Sequence, residues 1–268
     1  MLRNIYYALS PQLRLFVRKL VYWPVDLFSP KNNLIPPKGL IYTGRGDFLK
    51  AGKYWTNKFI EEGGLLSDDK LLDIGSGIGR MAVGLTSYLK TGEYEGFDAV
   101  QQGVDWCQIN IQSKFPNFQF KYVDLSNDLY KSSGIDASTF AFPYPTDHFN
   151  FAISVSVFTH MLPHEIDNYL AETARTLKQG GILFATFFII EKDQNNANED
   201  FSFPYDYGHY YLMDQKVKSA NVALDLSYLI SLIEKNGFKL EKYVKGYWQT
   251  NVPHESNDFQ DYMILKKK

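Results

Sequence analysis

Between residues 70 and 190, short apolar runs alternate with stretches in which apolar side chains recur every three or four positions. Lys70 to Ile74, Glu93 to Asp98, Phe118 to Val123, Phe149 to Val155 and Ile182 to Phe188 read as strands. Phe149 to Val155 is almost wholly apolar, as a strand covered on both faces must be. Between the strands, a helix beginning near Gly79 carries Met81, Leu85, Tyr88 and Leu89, and a second spans Gln102 to Gln112. Pro163 opens a third at the first helical position, where its missing N–H costs nothing. That helix is expected to run to Leu177 and stop at Gly180-Gly181. The alternation predicts βαβ units and a doubly wound parallel sheet with helices on both faces.

The flanks follow other rhythms. Gly46 to Glu62 reads as a helix leading into the sheet, and Asn32 to Gly39, with Pro36-Pro37, as a linker. After the fifth strand, Ile190 to Ala223 is long, polar and rich in tyrosine, a composition that marks a functional or disordered segment. Ala223 to Asn236 then reads as a helix, and Phe238 to Trp248 and Asp258 to Leu265 as two further strands, bringing the total to seven. The expected organisation is an N-terminal helical extension and linker over 1–45 and one α/β domain over 46–268, with an insertion at 190–223 as a substrate lid.

The chemistry concentrates where the first strand ends. Leu71 to Arg80 reads Leu-Leu-Asp-Ile-Gly-Ser-Gly-Ile-Gly-Arg, a strand, a glycine turn and a helix N-terminus, the geometry of a nucleotide-type pocket. A dinucleotide fingerprint needs Gly-x-Gly-x-x-Gly. Here the third glycine comes one residue early and Arg80 occupies the required position. Asp73, two residues before Gly75, suits a ligand with an ammonium group and no pyrophosphate. Asp98 ends the second strand 19 residues after Gly79, where a carboxylate can accept both hydroxyls of a ribose; a solvated strand-end aspartate is the plainer alternative.

With Asp-x-Gly-x-Gly-x-Gly and the second acid, residues 48–266 resemble class I (Rossmann-like) S-adenosylmethionine-dependent methyltransferases. The resemblance implies a seven-stranded, mostly parallel sheet with the last strand antiparallel, and S-adenosylmethionine as cofactor. It places Asp73, Gly75, Ser76, Gly77 and Gly79 around that cofactor, with Asp98 and Ala99 at its ribose. Asp124 would take the adenine amine and Leu125 would offer a backbone N–H, unless Asp124 caps a short helix at 126–130. Trp106 either stacks on the base or packs in the core, and Cys107 reads as a buried apolar residue. Ser154 to Met161 resembles the Ser-Val-Phe-Thr-His-Met segment of a bacterial branch whose members methylate cell-surface glycans and natural products; Ser154 would flank the methionine part. Phe48 and Tyr54 are candidate covers for that end, and Arg80 either reaches its carboxylate or is solvated.

The implied reaction is methyl transfer to a small molecule or glycan, at oxygen, in an enzyme of class EC 2.1.1. The alternatives are nitrogen or carbon methylation, of a small molecule or protein, and cofactor binding without catalysis. An attacking hydroxyl must lose a proton, and a neutral imidazole suits that task. His160 is therefore the candidate base, against a histidine merely bonded to backbone; Asp206 and His209 in the lid are the substitutes. His164 follows His160 by four residues, but Pro163 starts a helix between them and no third ligand has the right spacing, so no metal is expected.

Composition narrows the partners. A formal charge of −2 argues against a nucleic-acid binder. One cysteine excludes an internal disulfide framework and fits a reducing, cytoplasmic setting. Residues 1–28 hold Arg3, Arg14, Arg18 and Lys19 against Asp26, interleaved with apolar and aromatic positions. Such a helix either lies in a membrane interface, giving peripheral association, or packs over the core, and packing is the expected outcome.

Overall fold

A computed structural model describes residues 11–28, 32, 34–44, 46–126, 133–191, 198, 201–250, 252 and 258–268. Contacts divide the chain between Gly134 and Ile135 into two compact units.

The first unit holds helix α1 (Pro11–Phe28), helix α2 (Phe48–Glu61), strand β1 (Lys70–Ile74), helix α3 (Arg80–Leu85), strand β2 (Glu93–Asp98), helix α4 (Gln101–Cys107) and strand β3 (Phe118–Tyr122). β1 pairs with β2 and β2 with β3, all parallel. Leu71, Leu72, Ile74, Tyr94, Phe97 and Phe118 are buried along them. Asp47 caps α2 by accepting the Lys50 N–H at 2.8 Å. Two glycines let α2 and α3 cross at backbone distance. A Cβ on Gly52 would stand 2.6 Å from the Arg80 carbonyl oxygen, and one on Gly84 would stand 2.4 Å from that of Gly52. α3 is shorter than expected: Tyr88 and Leu89 lie past its end, where the Tyr88 hydroxyl donates to the Leu65 carbonyl at 2.8 Å. α4 continues as a π-helical turn, Gln108–Gln112.

The second unit holds strand β4 (Phe149–Ser154), a 3₁₀ turn (Phe158–His160), helix α5 (Pro163–Thr176), strands β5 (Leu177–Phe187), β6 (Ile189–Ile190), β7 (Tyr205–Asp206), β8 (Tyr210–Leu212) and β9 (Val222–Asp225), helix α6 (Leu226–Lys235) and strands β10 (Phe238–Val244) and β11 (Asp261–Lys267). Pro163 is the first residue of α5, as expected. Gly180 and Gly181 do not end that helix. β5 begins at once after Thr176, and the glycines lie within it, where the pairing shifts from Phe149↔Leu177 to Phe151↔Ile182. Gly180 takes φ +75° there, which suits the bulge.

Seven strands make one sheet in the order β10-β11-β5-β4-β1-β2-β3, with β11 antiparallel to both its neighbours. This is the doubly wound arrangement expected. The insertion is more regular than its sequence suggests, because β6, β9, β8 and β7 form a second, four-stranded sheet. Ala223 to Asp225, read as the start of a helix, belong to β9, an inner strand of that sheet; Asp225 then caps α6 by accepting the Tyr228 N–H at 3.0 Å. Phe188, Phe203, Met213 and Trp248 form the buried cluster here, with Phe201 and Phe259 against it.

Candidate cofactor and acceptor site

The glycine turn is fastened to β2 from above and below. The N–H groups of Gly75 and Ser76 both donate to the Phe97 carbonyl at 3.0 Å, and the Gly77 N–H donates to Oδ2 of Asp98 at 2.8 Å. Oδ1 of Asp98 accepts the Val100 N–H at 2.8 Å and the Tyr42 hydroxyl at 3.4 Å. Burial pushes the Asp98 carboxyl up, while those donors pull it down. These donors fill three of the carboxylate's four or so lone-pair sites, and Oδ2 keeps one for a further donor such as a ribose hydroxyl.

Asp73 is buried and its carboxylate accepts the Tyr94 hydroxyl. Burial pushes its pKa up to about 7, Tyr94 opposes the rise, and the charge of Asp98 adds to it. A cationic amine is the ligand group that would restore the ionised form. Ser76 is buried with an unpartnered hydroxyl, and Gly96 leaves it room, since a Cβ there would stand 2.8 Å from the Ser76 Cβ. Gly79 is needed for packing as well as for its φ of +77°: a Cβ would meet Ile111 Cδ1 at 2.6 Å and Cys107 Sγ at 2.8 Å.

Trp106 is buried beside that turn, its ring edge 3.8 Å from where a Gly79 Cβ would lie. Cys107 is fully buried and its thiol is pushed well up by burial, which makes it unreactive. Ala99 is half-buried after β2. Asp124 is exposed just past β3, while Leu125 is buried with its N–H on the Val123 carbonyl at 3.0 Å. The short helix weighed for 126–130 falls mostly on residues outside those described.

Arg80 is not a solvated first-turn residue. It is buried, its guanidinium lies 4.9 Å over the Phe48 ring, and it donates to the Thr43 carbonyl at 3.2 Å. The residue that departs from the dinucleotide fingerprint therefore ties the segment before α2 to the helix after the glycine turn. Phe48 is buried under it; Tyr54 is exposed, with Lys58 5.7 Å over its ring.

In the second unit, β4 ends at Ser154, fully buried with an unpartnered hydroxyl. Ser156 sits in the left-handed region at φ +61°, its N–H on Thr186 Oγ1 at 2.7 Å and its hydroxyl on Gln260 Oε1 at 2.9 Å. Nδ1 of His160 lies 2.9 Å from the Ser219 carbonyl oxygen. A carbonyl can only accept, so Nδ1 bears the proton and Nε2 of the neutral ring bears the lone pair. Burial lowers the His160 pKa, against backbone contacts with Ser219 and Ala220, which favours the neutral form.

Asp206 and His209 stand apart from this arrangement, on the β7–β8 hairpin. Both are exposed; Asp206 Oδ1 accepts the Gly208 N–H at 2.6 Å, and the His209 ring stacks on Tyr228 at 4.8 Å. His164 is exposed at the start of α5. Among the described residues no group of three His, Cys, Asp or Glu side chains could hold a metal. Tyr94, Tyr42 and Ser219, which hold Asp73, Asp98 and His160, escaped sequence reasoning because each acts from 21 or more positions away.

Residues 72–185 match the protein family described as a methyltransferase domain. Solved structures share the fold. A SAM-dependent methyltransferase of Methanosarcina mazei is 20% identical, with a TM-score of 0.54, over 78% of this chain and 96% of its own. A protein of Pyrococcus horikoshii is 17% identical, with a TM-score of 0.56, over 85% and 95% respectively. The [4+2]-cyclase SpnF is 17% identical, with a TM-score of 0.54, over 84% of each chain. Residues 72–185 are thus similar to a methyltransferase domain, and the solved structures share its Rossmann-like fold. The residues at the turn would suit the S-adenosylmethionine that the sequence resemblance implies: Asp73 is a buried carboxylate suited to an amine, Oδ2 of Asp98 can take one more donor, and the Ser76 hydroxyl is unpartnered.

Proposed function

We propose that the protein methylates a hydroxyl of a small molecule or glycan, with His160 as the base. The observation that carries this reading is the His160–Ser219 contact, which leaves Nε2 as a proton acceptor in a ring kept neutral by burial. When bound, S-adenosylmethionine supplies a methyl group on a sulfonium. Asp73 would hold its ammonium, Asp98 its ribose and Asp124 its adenine; Leu125, expected to offer its N–H to the base, already donates it to Val123. Ser154 is assigned to the methionine end, and Trp106 covers the base.

Nε2 of His160 would take the proton of the acceptor hydroxyl as that oxygen formed its bond to the methyl carbon in line, with the C–S electron pair staying on sulfur as a neutral thioether. Most of the acceleration comes from alignment and exclusion of water, because a positioned pair of reactants has already lost its freedom.

A sugar or aromatic ring as acceptor is supported by the insertion. Tyr207 and Tyr210 stack at 4.9 Å on its hairpin, next to Asp206 and His209, and Tyr205 and Tyr207 are exposed. Flat apolar faces carrying hydroxyls suit such rings. Asp206 and His209 then serve as acceptor-binding groups, with the hairpin turn explaining their geometry. The fold also serves a [4+2]-cyclase, so methyl transfer itself needs a direct test.

The test is transfer of labelled methyl from S-adenosylmethionine to a panel of sugars, phenols and amines, using the wild type and His160→Gln. Labelled hydroxyl products are expected, with turnover in the variant slower by about two orders of magnitude or more. Labelled amines in place of hydroxyls, or unchanged turnover in the variant, would overturn the oxygen or base assignment respectively.

A further inference from the structure

Helix α1 is amphipathic the wrong way round for a helix that packs on a core. Nine of its large apolar side chains are exposed, among them Phe16, Leu20, Trp23, Leu27 and Phe28, with Trp23 65% and Phe28 85% exposed. Arg14 is buried, and Leu15, Arg18, Tyr22 and Asp26 are half-buried, so the covered positions are mostly polar or aromatic with a polar tip. At 100° per residue, Arg18, Tyr22 and Asp26 share one side and the exposed set spans an arc of about 200° around the other.

The polar side is the side that is held. Both carboxylate oxygens of Asp26 accept backbone N–H groups, from Lys38 at 2.6 Å and Gly39 at 2.9 Å. Gly39 comes so close that a Cβ would stand 3.1 Å from the Lys19 Cα. The Arg18 guanidinium lies 4.9 Å over the Tyr22 ring. With its only acid engaged, the helix presents Lys19 as an exposed cation beside the apolar arc, and Lys38, from the segment that Asp26 holds, is exposed as well.

We propose that α1 docks the protein on the surface of an anionic lipid bilayer, lying in the interface with the arc sunk among the acyl chains. The width of the arc selects this occupant. A helix packed on another protein face buries a stripe of about 100°, which would leave half of these side chains wet. A helix half sunk at the headgroup boundary wets no such excess, and exposed lysines beside it meet anionic headgroups. Tryptophan at such a boundary is favourable for the same reason. Among the described residues no helix is long and apolar enough to cross a membrane, so the contact is peripheral.

The test uses the full chain with vesicles of phosphatidylcholine alone or mixed with phosphatidylglycerol. The wild type is expected to co-sediment with the anionic vesicles roughly tenfold more than with the neutral ones, and to be released by salt. The triple variant F16S/L20S/L27S should stay in the supernatant while still being stabilised by S-adenosylhomocysteine. Should that variant fail to fold, brominated acyl chains offer a second readout: they should quench wild-type fluorescence and spare Trp23→Phe. A wild type that ignores anionic vesicles or is not quenched overturns the proposal. So does a lipid-free dimer, seen by ultracentrifugation, that the triple variant dissociates, because a second copy would then own the arc.

Discussion

Asp98 and Gly77 are joined by one hydrogen bond, from the glycine N–H to Oδ2 at 2.8 Å, and that bond ties the acid proposed for the ribose to the glycine turn. Replacing Asp98 with alanine therefore removes two things at once: the ribose acceptor and the anchor of the glycine turn. Charge-assisted hydrogen bonds are each worth about 1.5–3 kcal/mol. Calorimetry with S-adenosylhomocysteine should show affinity falling at least tenfold in Asp98→Ala, with a smaller loss in Asp98→Asn, which keeps one acceptor oxygen.

Asp73 gives the protein a pH signature. Its folded pKa, about 7, lies above the ordinary carboxylate value, so the folded state binds the proton more tightly than the unfolded chain. Its stabilising contribution is complete below the ordinary value near 3.8 and is lost as pH rises to about 7. Cofactor affinity runs the other way, because an ammonium prefers the ionised acid, and should rise through the same range. Thermal melts and calorimetry from pH 5 to 8 check both trends; Asp73→Asn should flatten the affinity trend and reduce the stability trend, which Asp261, also pushed up to about 7 by burial, keeps in part.

The crossing of α2 over α3 predicts a contrast among glycines. Gly52→Ala and Gly84→Ala each force a methyl to within 2.6 Å of backbone atoms, which cannot swing aside. Overpacking of this kind costs about 1–3 kcal/mol. Gly208, on the hairpin, has open space around its Cβ position and only its φ of +86° to lose, so Gly208→Ala should cost less. Urea denaturation of the three variants gives the order.

A second buried acid, Asp261, braces the insertion. It accepts the Ile189 N–H and Trp248 Nε1 at 2.7 Å and the Gly246 N–H at 2.8 Å. Asp261→Ala leaves three buried donors unpaired, at about 1–3 kcal/mol each. The variant should lose a large share of its stability, whereas Trp248→Phe removes one donor and should lose less; urea midpoints measure both.

The sheet was legible in the sequence because its strands are apolar runs bounded by glycine and acid, and βαβ order follows from alternation alone. The candidate cofactor residues stood out for a related reason: Asp73, the glycines and Asp98 occupy strand ends and a turn set by local spacing. What stayed hidden depends on distance along the chain. Arg80 stayed open between a carboxylate contact and solvent because nothing local reveals that Thr43 and Phe48 return to cover it. Ala223 to Asp225 looked helical because their partners in β8, Tyr210 and Tyr211, lie in a polar, tyrosine-rich stretch with no strand period. Gly180-Gly181 resembled a helix stop because a bulge and a C-cap ask for the same residue.

The most direct measurement is calorimetric titration of the wild-type protein with S-adenosylhomocysteine and, separately, with NAD. A glycine turn backed by Asp73 and Asp98 and followed by Arg80 predicts one site for the sulfur nucleoside and no measurable heat with the dinucleotide. Uptake of NAD with no response to S-adenosylmethionine or its demethylated product would contradict the account at its root.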